Sequence, residues 1–149
     1  MEIIELMSVV NKEKYLQQLL NCEWMAGKYL AKIIISNEFE KMCKENPRVF
    51  LLVNGDEIVS FCTYVNQDEI NAPEMYPWIG FVYTYEQHRG NHYFGKLLNH
   101  ILSLAKEEKY NKIYVSTNEI GLYEKYGFKY YTNMLDITGN DSRIYFIEL

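Results

Sequence analysis

The chain has 149 residues, 48% of them apolar, and a formal net charge of −5 at neutral pH. That length and apolar content suit one domain over residues 1–149, and the acidic balance argues against general nucleic-acid binding, which needs a basic surface. No apolar run approaches the roughly 18 residues of a membrane span, and the start, with Glu2 and Glu5 and no basic lead-in, lacks a signal-peptide pattern.

Ile3, Ile4, Leu6 and Met7 predict a first strand. Asn11 then precedes a helical stretch over Lys12–Met25, with Tyr15, Leu16, Leu19, Leu20 and Trp24 along one face and Asn11 as a candidate cap. A second helical stretch runs through Tyr29, Leu30, Ile33 and Ile34, and Phe39–Cys43 adds a turn or two before Pro47 closes the helical region. Aromatic side chains at helical spacing, such as Trp24 and Tyr29, read first as core. Cys22, Cys43 and Cys62 are an odd number without metal-ligand spacing, so reduced thiols of a cytoplasmic protein are expected.

Val49–Val53 and Glu57–Val65 flank Asn54-Gly55-Asp56, and Asn-Gly between two such runs is the strongest short-range hairpin signal, because both residues tolerate positive φ. The link from Asn66 to Tyr76 is polar, carries Asp68, Glu69 and Glu74, and suits substrate contacts as well as plain solvation. Trp78, Ile79, Phe81, Val82 and Tyr83 then form a nearly continuous apolar run, expected of a central strand covered on both faces.

A short polar turn holds Arg89-Gly90. Beyond it Phe94, Leu97, Leu98, Ile101, Leu102 and Ala105 recur on one helix face. The first turn of such a helix carries unpartnered N–H groups and the positive end of the macrodipole. His88, Arg89, His92 and Lys96 cluster there in an acidic chain. That combination points to a phosphate or pyrophosphate ligand, with an ordinary strand-to-helix turn as the alternative. His88, His92 and His100 come with no acidic ligand that would complete a metal site, so metal binding is not expected.

Ile113–Asn118 reads as a strand, Gly121-Leu122-Tyr123-Glu124-Lys125-Tyr126-Gly127-Phe128 as a short helical segment, and Leu135–Ile137 with Arg143–Glu148 as a closing hairpin around Gly139-Asn140-Asp141. The order of elements is that of a mixed α/β three-layer domain.

Arg89-Gly90-Asn91-His92-Tyr93-Phe94-Gly95-Lys96-Leu97-Leu98 resembles the acetyl-coenzyme A signature of the GNAT N-acetyltransferases. Arg89, Gly90, Leu97 and Leu98 match it. His92 stands where the family has its first signature glycine, and Phe94 where it has glycine or alanine. The later LYEKYGF segment, Leu122 to Phe128, resembles a second family motif in the right order.

The resemblance implies an α/β acyl-CoA N-acyltransferase fold with a mixed, mostly antiparallel central sheet flanked by helices, the central strand and the strand after the long helix splaying apart to admit the cofactor. It implies an acetyl-CoA-dependent N-acetyltransferase acting directly on a primary amine of a small molecule or peptide. In that picture the backbone of Val82, Tyr83 and Thr84 pairs with the pantetheine arm, Arg89, Gly90, Asn91, His92, Tyr93, Phe94 and Gly95 wrap the pyrophosphate, and Asn118 contacts the cofactor near its pantetheine end. Tyr123 is the expected general acid. The general base stays open among Glu69, Glu74, Glu86, Glu119 and a water chain. Two alternatives remain: a catalytically silent acyl-CoA-binding regulatory domain, because of His92 and Phe94, and an interaction domain using exposed tyrosines Tyr130, Tyr131 and Tyr145 as a homodimer surface.

Overall fold

The structure, a computed structural model, describes residues 1–149. Strands β1 (Glu2–Glu5), β2 (Arg48–Asn54), β3 (Glu57–Val65), β4 (Trp78–Thr84), β5 (Lys112–Thr117), β6 (Lys129–Leu135) and β7 (Asp141–Glu148) make one sheet in the order β1-β2-β3-β4-β5-β7-β6. Every neighbouring pair is antiparallel except β4 and β5. Helices α1 (Lys12–Leu20), α2 (Met25–Ile35) and α3 (Glu38–Met42) cover one face, and α4 (Tyr93–Glu107) covers the other.

Strand alternation sets these layers. Val49, Leu51 and Val53 of β2 pack with Leu16, Leu19 and Leu30 under the first helices, whereas Phe50 and Leu52 pack with Leu97, Leu98 and Ile101 of α4. Each fully buried aliphatic side chain of this kind contributes about 1.5–3 kcal/mol of transfer free energy.

Local structure departs from the sequence expectations in four places. The first helix stops at Leu20 rather than continuing to Met25. Trp24 adopts an extended conformation, φ −75° and ψ 120°, and its ring stacks on Tyr83 at 5.2 Å between centroids, so the helix breaks to let the indole reach the sheet. Asn11 occupies the N-cap position without a side-chain hydrogen bond. In the β2–β3 hairpin Asn54 pairs with Glu57. Gly55, at φ +63°, is therefore the first of two central residues and the one with positive φ. That is the glycine-first turn rather than the Asn-Gly-centred one. Tyr145, finally, is fully buried, because β7 lies between β5 and β6; only Tyr130 and Tyr131 of the three tyrosines face solvent.

Candidate functional site

The site begins at an irregularity in β4. Phe61 of β3 pairs with Tyr83 and Thr63 with Gly80, so Phe81 and Val82 together face the single residue Cys62, which defines a β-bulge. Phe81 has φ +48°, a conformation that a bulky residue rarely adopts. On its other side β4 pairs with β5 only through Trp78 with Tyr114 and Ile79 with Val115. Beyond Ile79 the two parallel strands separate, and the β4 edge from Gly80 to Thr84 has no strand beside it.

Two cavities open in this wedge. The first, about 540 Å³, is lined by Val82, Tyr83 and Thr84, by the segment from His88 to Phe94, and across the gap by Glu119, Leu122, Lys125 and Tyr126. At its end lies the mouth of α4. His92, the N-cap residue, provides no side-chain cap, and no acidic residue occupies the first turn; the Gly95 N–H donates to the His92 carbonyl at 3.0 Å, so the N–H groups of Tyr93 and Phe94 are the ones available to an external anion. Gly90 has φ +87° and His92 has φ +56° and ψ 34°. The histidine thus takes the left-handed conformation in which glycine is the usual residue.

Phe94 lines the first cavity with only a small part of its surface. It is buried in the core beneath α4, edge-on to Tyr123 at 5.9 Å and to Tyr126 at 5.3 Å. Gly95 lies behind the cavity, where a Cβ would stand 3.4 Å from Tyr126 Cε1. The absence of a side chain there brings Tyr126 close to α4.

Arg89 donates from Nε to the Thr84 carbonyl at 2.9 Å and lies over the Tyr83 ring at 5.3 Å. These contacts hold its guanidinium at the cavity rim. Asn91 Nδ2 donates to the His88 carbonyl at 3.1 Å, and His88 Nε2 meets Glu57 Oε1 at 2.8 Å, so the turn is tied to the start of β3. An unpaired strand edge, an uncapped helix mouth and a fixed arginine suit a molecule that joins an amide-bearing arm to a diphosphate.

The second cavity, about 690 Å³, shares Trp24, Val82, Glu119 and Leu122 with the first. It lies between α2, the bulged part of β4, and the turn from β6 to β7. Tyr123 lines this cavity and is buried, edge-on to Phe94 and to Phe128 at 5.7 Å. Burial pushes its phenol pKa upward, so it keeps its proton throughout the neutral range.

The carboxylate of Asp68 points at the same space. A Cβ on Gly80 would lie 2.5 Å from Asp68 Oδ1 and 3.1 Å from Thr63 Oγ1, so the glycine leaves room for the carboxyl against β4. Thr63 Oγ1 is buried without a hydrogen-bond partner. Burial raises the Asp68 pKa from its ordinary 3.8 to about 7, against a hydrogen bond from the Glu69 backbone N–H that lowers it, while the Glu69 charge adds a smaller push upward.

Of the other carboxylates, Glu69 accepts from Ser116 Oγ at 2.8 Å, Glu119 lines both cavities, and Glu74 and Glu86 line neither. Asn118 is exposed at the end of β5 and also lines neither. The N–H of Glu119 donates to Thr117 Oγ1 at 3.0 Å in a local turn, and the short helical segment that follows begins at Tyr123. Sequence reasoning placed Asp68 in a substrate-contacting loop but not among the bases. The signal that marks it is a glycine in the middle of an otherwise bulky strand.

A sheet split between two parallel strands, with an uncapped helix at the wide end of the split, defines the acyl-CoA N-acyltransferase architecture. The model of the Acetyltransferase (GNAT) family matches residues 14–128, and the chain belongs to that family. No curated protein sequence matches it. Solved structures do. An aminoglycoside 6'-N-acetyltransferase complexed with coenzyme A superposes with a TM-score of 0.72 at 16% identity, covering 99% of this chain and 97% of the other. An acetyltransferase from Streptococcus agalactiae gives 0.69 at 23% identity over 99% and 98%. A GNAT family acetyltransferase from Elizabethkingia anophelis with acetyl-CoA bound gives 0.65 at 17% identity over 99% and 97%. At these identities the likeness is one of fold.

Proposed function

We propose that the protein transfers an acetyl group from acetyl-CoA directly to a primary amine. The observation that carries this reading is the meeting of the two cavities at Val82, with Tyr123 and Asp68 both on the second. In this scheme the pantetheine arm lies along the free edge of Val82, Tyr83 and Thr84 as an added strand. The diphosphate rests on the α4 mouth between Arg89 and Phe94. Asn118 stays at the periphery of the arm.

Asp68 takes the surplus proton of the amine, whose nitrogen then attacks the thioester carbon. A C–N bond forms and the C–S bond breaks. Tyr123 gives its proton to the departing sulfur and recovers one, directly or through water, from the second proton that the nitrogen sheds as the amide forms, while Asp68 passes the first to solvent; the products are the N-acetyl amine and coenzyme A. A carboxylate with an elevated pKa is the stronger base, and a phenol held neutral by burial is the available acid. No acyl-enzyme is required, since the three thiols are all buried and Cys43 and Cys62 are held protonated by burial. Unpaired buried thiols also support a reducing, cytoplasmic setting.

Calorimetric titration with acetyl-CoA, followed by free-thiol release on addition of amines, tests the scheme. Binding at 100 times the dissociation constant should stabilise the fold by about 2.7 kcal/mol. A titration without heat and without a thermal shift would remove the cofactor from the reading. Binding without thiol release from any amine would favour the silent, regulatory alternative.

A further inference from the structure

The second cavity combines apolar walls with negative charge. Trp24, Phe81 and Ile33 form its sides, Tyr29 and Ile137 its mouth, and its ionisable acidic groups are Asp68, Glu69 and Glu119. Neither a lysine nor an arginine is among its lining residues. Glu69 is already engaged by Ser116, which itself lies 2.6 Å from Ser142 Oγ. Asp68 and Glu119 are left to meet a cation, Asp68 beside the bulge and Glu119 at the junction of the two cavities.

The walls are fixed as well as apolar. Trp24 is stacked on Tyr83 with an interplanar angle of 7° and stands edge-on to Phe81 at 6.4 Å. The opposite lip is pinned by the Ile137 N–H, which donates to the Glu69 carbonyl at 2.8 Å. Tyr29 is 47% exposed and Ile137 62% exposed, so both stand open to a ligand entering the cavity.

We propose that the acceptor is a primary amine carried on an aromatic or branched aliphatic body and lacking a carboxylate, its body held between Trp24, Phe81 and Ile137 and its nitrogen directed at Asp68. This deepens the acetyltransferase reading and rests on it. A free amino acid brings a carboxylate into a cavity lined by three acidic residues and no lysine or arginine to meet it, which raises the free energy of the complex. A polyhydroxylated polyamine such as an aminoglycoside would leave hydroxyls against Trp24, Phe81 and Ile33 without hydrogen-bond partners. An apolar cation satisfies both features.

The test compares kcat/KM, read as free-thiol release, for phenethylamine, phenylalanine, spermidine and kanamycin with the full-length protein at saturating acetyl-CoA. Phenethylamine and phenylalanine differ only in the carboxylate. The expected result is a preference for phenethylamine over each of the others by about 10²-fold, as for one well-placed apolar group or one unmatched charge. Ile137→Ser, on an exposed turn, should lower kcat/KM for phenethylamine about tenfold while leaving the dissociation constant of acetyl-CoA unchanged. Equal or faster turnover of phenylalanine or kanamycin, or an Ile137→Ser variant with undiminished phenethylamine turnover, would overturn the inference and leave the acetyltransferase reading intact. Thiol release from none of the four amines, with acetyl-CoA bound, would overturn the inference, and release from no amine in a wider panel would overturn the acetyltransferase reading as well.

Discussion

Replacing Asp68 by asparagine keeps the shape of the side chain and removes its negative charge. In the folded protein this carboxyl titrates near 7 instead of 3.8, mainly because burial disfavours the anion. A carboxyl whose folded pKa lies above its unfolded value binds its proton more tightly in the native state. Its contribution is therefore fully present below about pH 4, is lost as the pH rises to about 7, and changes little beyond. Each unit of difference corresponds to about 1.4 kcal/mol, so the ceiling on the effect is about 4 kcal/mol. The cavity admits solvent on one side, which screens the charge and brings the expected value to about 1–3 kcal/mol. Asp68→Asn should match wild type near pH 4 and exceed it near pH 8, by roughly 2–10 °C in Tm for a chain of this size. In the same variant acetyl transfer should fall by about 10²- to 10⁴-fold, and the rise of kcat/KM through neutral pH should disappear. Thermal melts across that pH range and thiol-release kinetics provide both readouts. A Tm difference independent of pH, or an asparagine variant with wild-type turnover, would refute the reasoning.

Tyr123→Phe keeps the edge-on packing against Phe94 and Phe128 and removes the proton. It should lower kcat about 10²- to 10⁴-fold with Tm and acetyl-CoA affinity unchanged, and full activity would exclude Tyr123 as the acid. Gly80→Ala sets a methyl group 2.5 Å from Asp68 Oδ1. It should destabilise by about 1–3 kcal/mol and reproduce the activity loss of Asp68→Asn, which circular-dichroism melts and kinetics together would show. His92→Gly exchanges left-handed strain of about 1 kcal/mol for a similar cost in unfolded-state entropy. Stability should stay within about 1 kcal/mol of wild type and acetyl-CoA affinity should hold or improve. More than a tenfold loss in a binding titration would mean that the imidazole itself holds the cofactor.

The parts of this fold that are legible in the sequence are those in which one period decides the outcome. The α4 stripe from Phe94 to Ala105 and the two runs on either side of Gly55 have only one way to bury their apolar positions. What was not legible depends on partners distant in sequence. Lys12 to Met25 reads as one helix because nothing local shows that Trp24 must turn toward Tyr83, 59 residues on. Tyr145 reads as surface until β7 is seen to lie between two strands. For the site, Arg89, Tyr123 and the α4 mouth stood in recognisable motifs. Asp68 did not, because its role arises from the space left by Gly80 and from burial by elements that no local pattern identifies.

The bulge at Phe81 ties these features together. Trp78 to Thr84 looks like an uninterrupted central strand, yet a regular strand of that length would continue to pair with β5 past Ile79 and close the wedge. An extra residue opposite Cys62 increases local twist and turns the later part of β4 away from its parallel neighbour. That single change frees the edge at Val82 to Thr84, aims Phe81 into the second cavity beside Trp24, and leaves Gly80 as the place where the Asp68 carboxyl meets the strand. A positive φ at a bulky residue costs on the order of 1–3 kcal/mol. The edge contact with Trp24 and the buried pairs at Trp78 and Ile79 hold the strand in place against it. The strain thus sits where the first and second cavities share one wall, and a β4 relaxed into regular pairing would have neither.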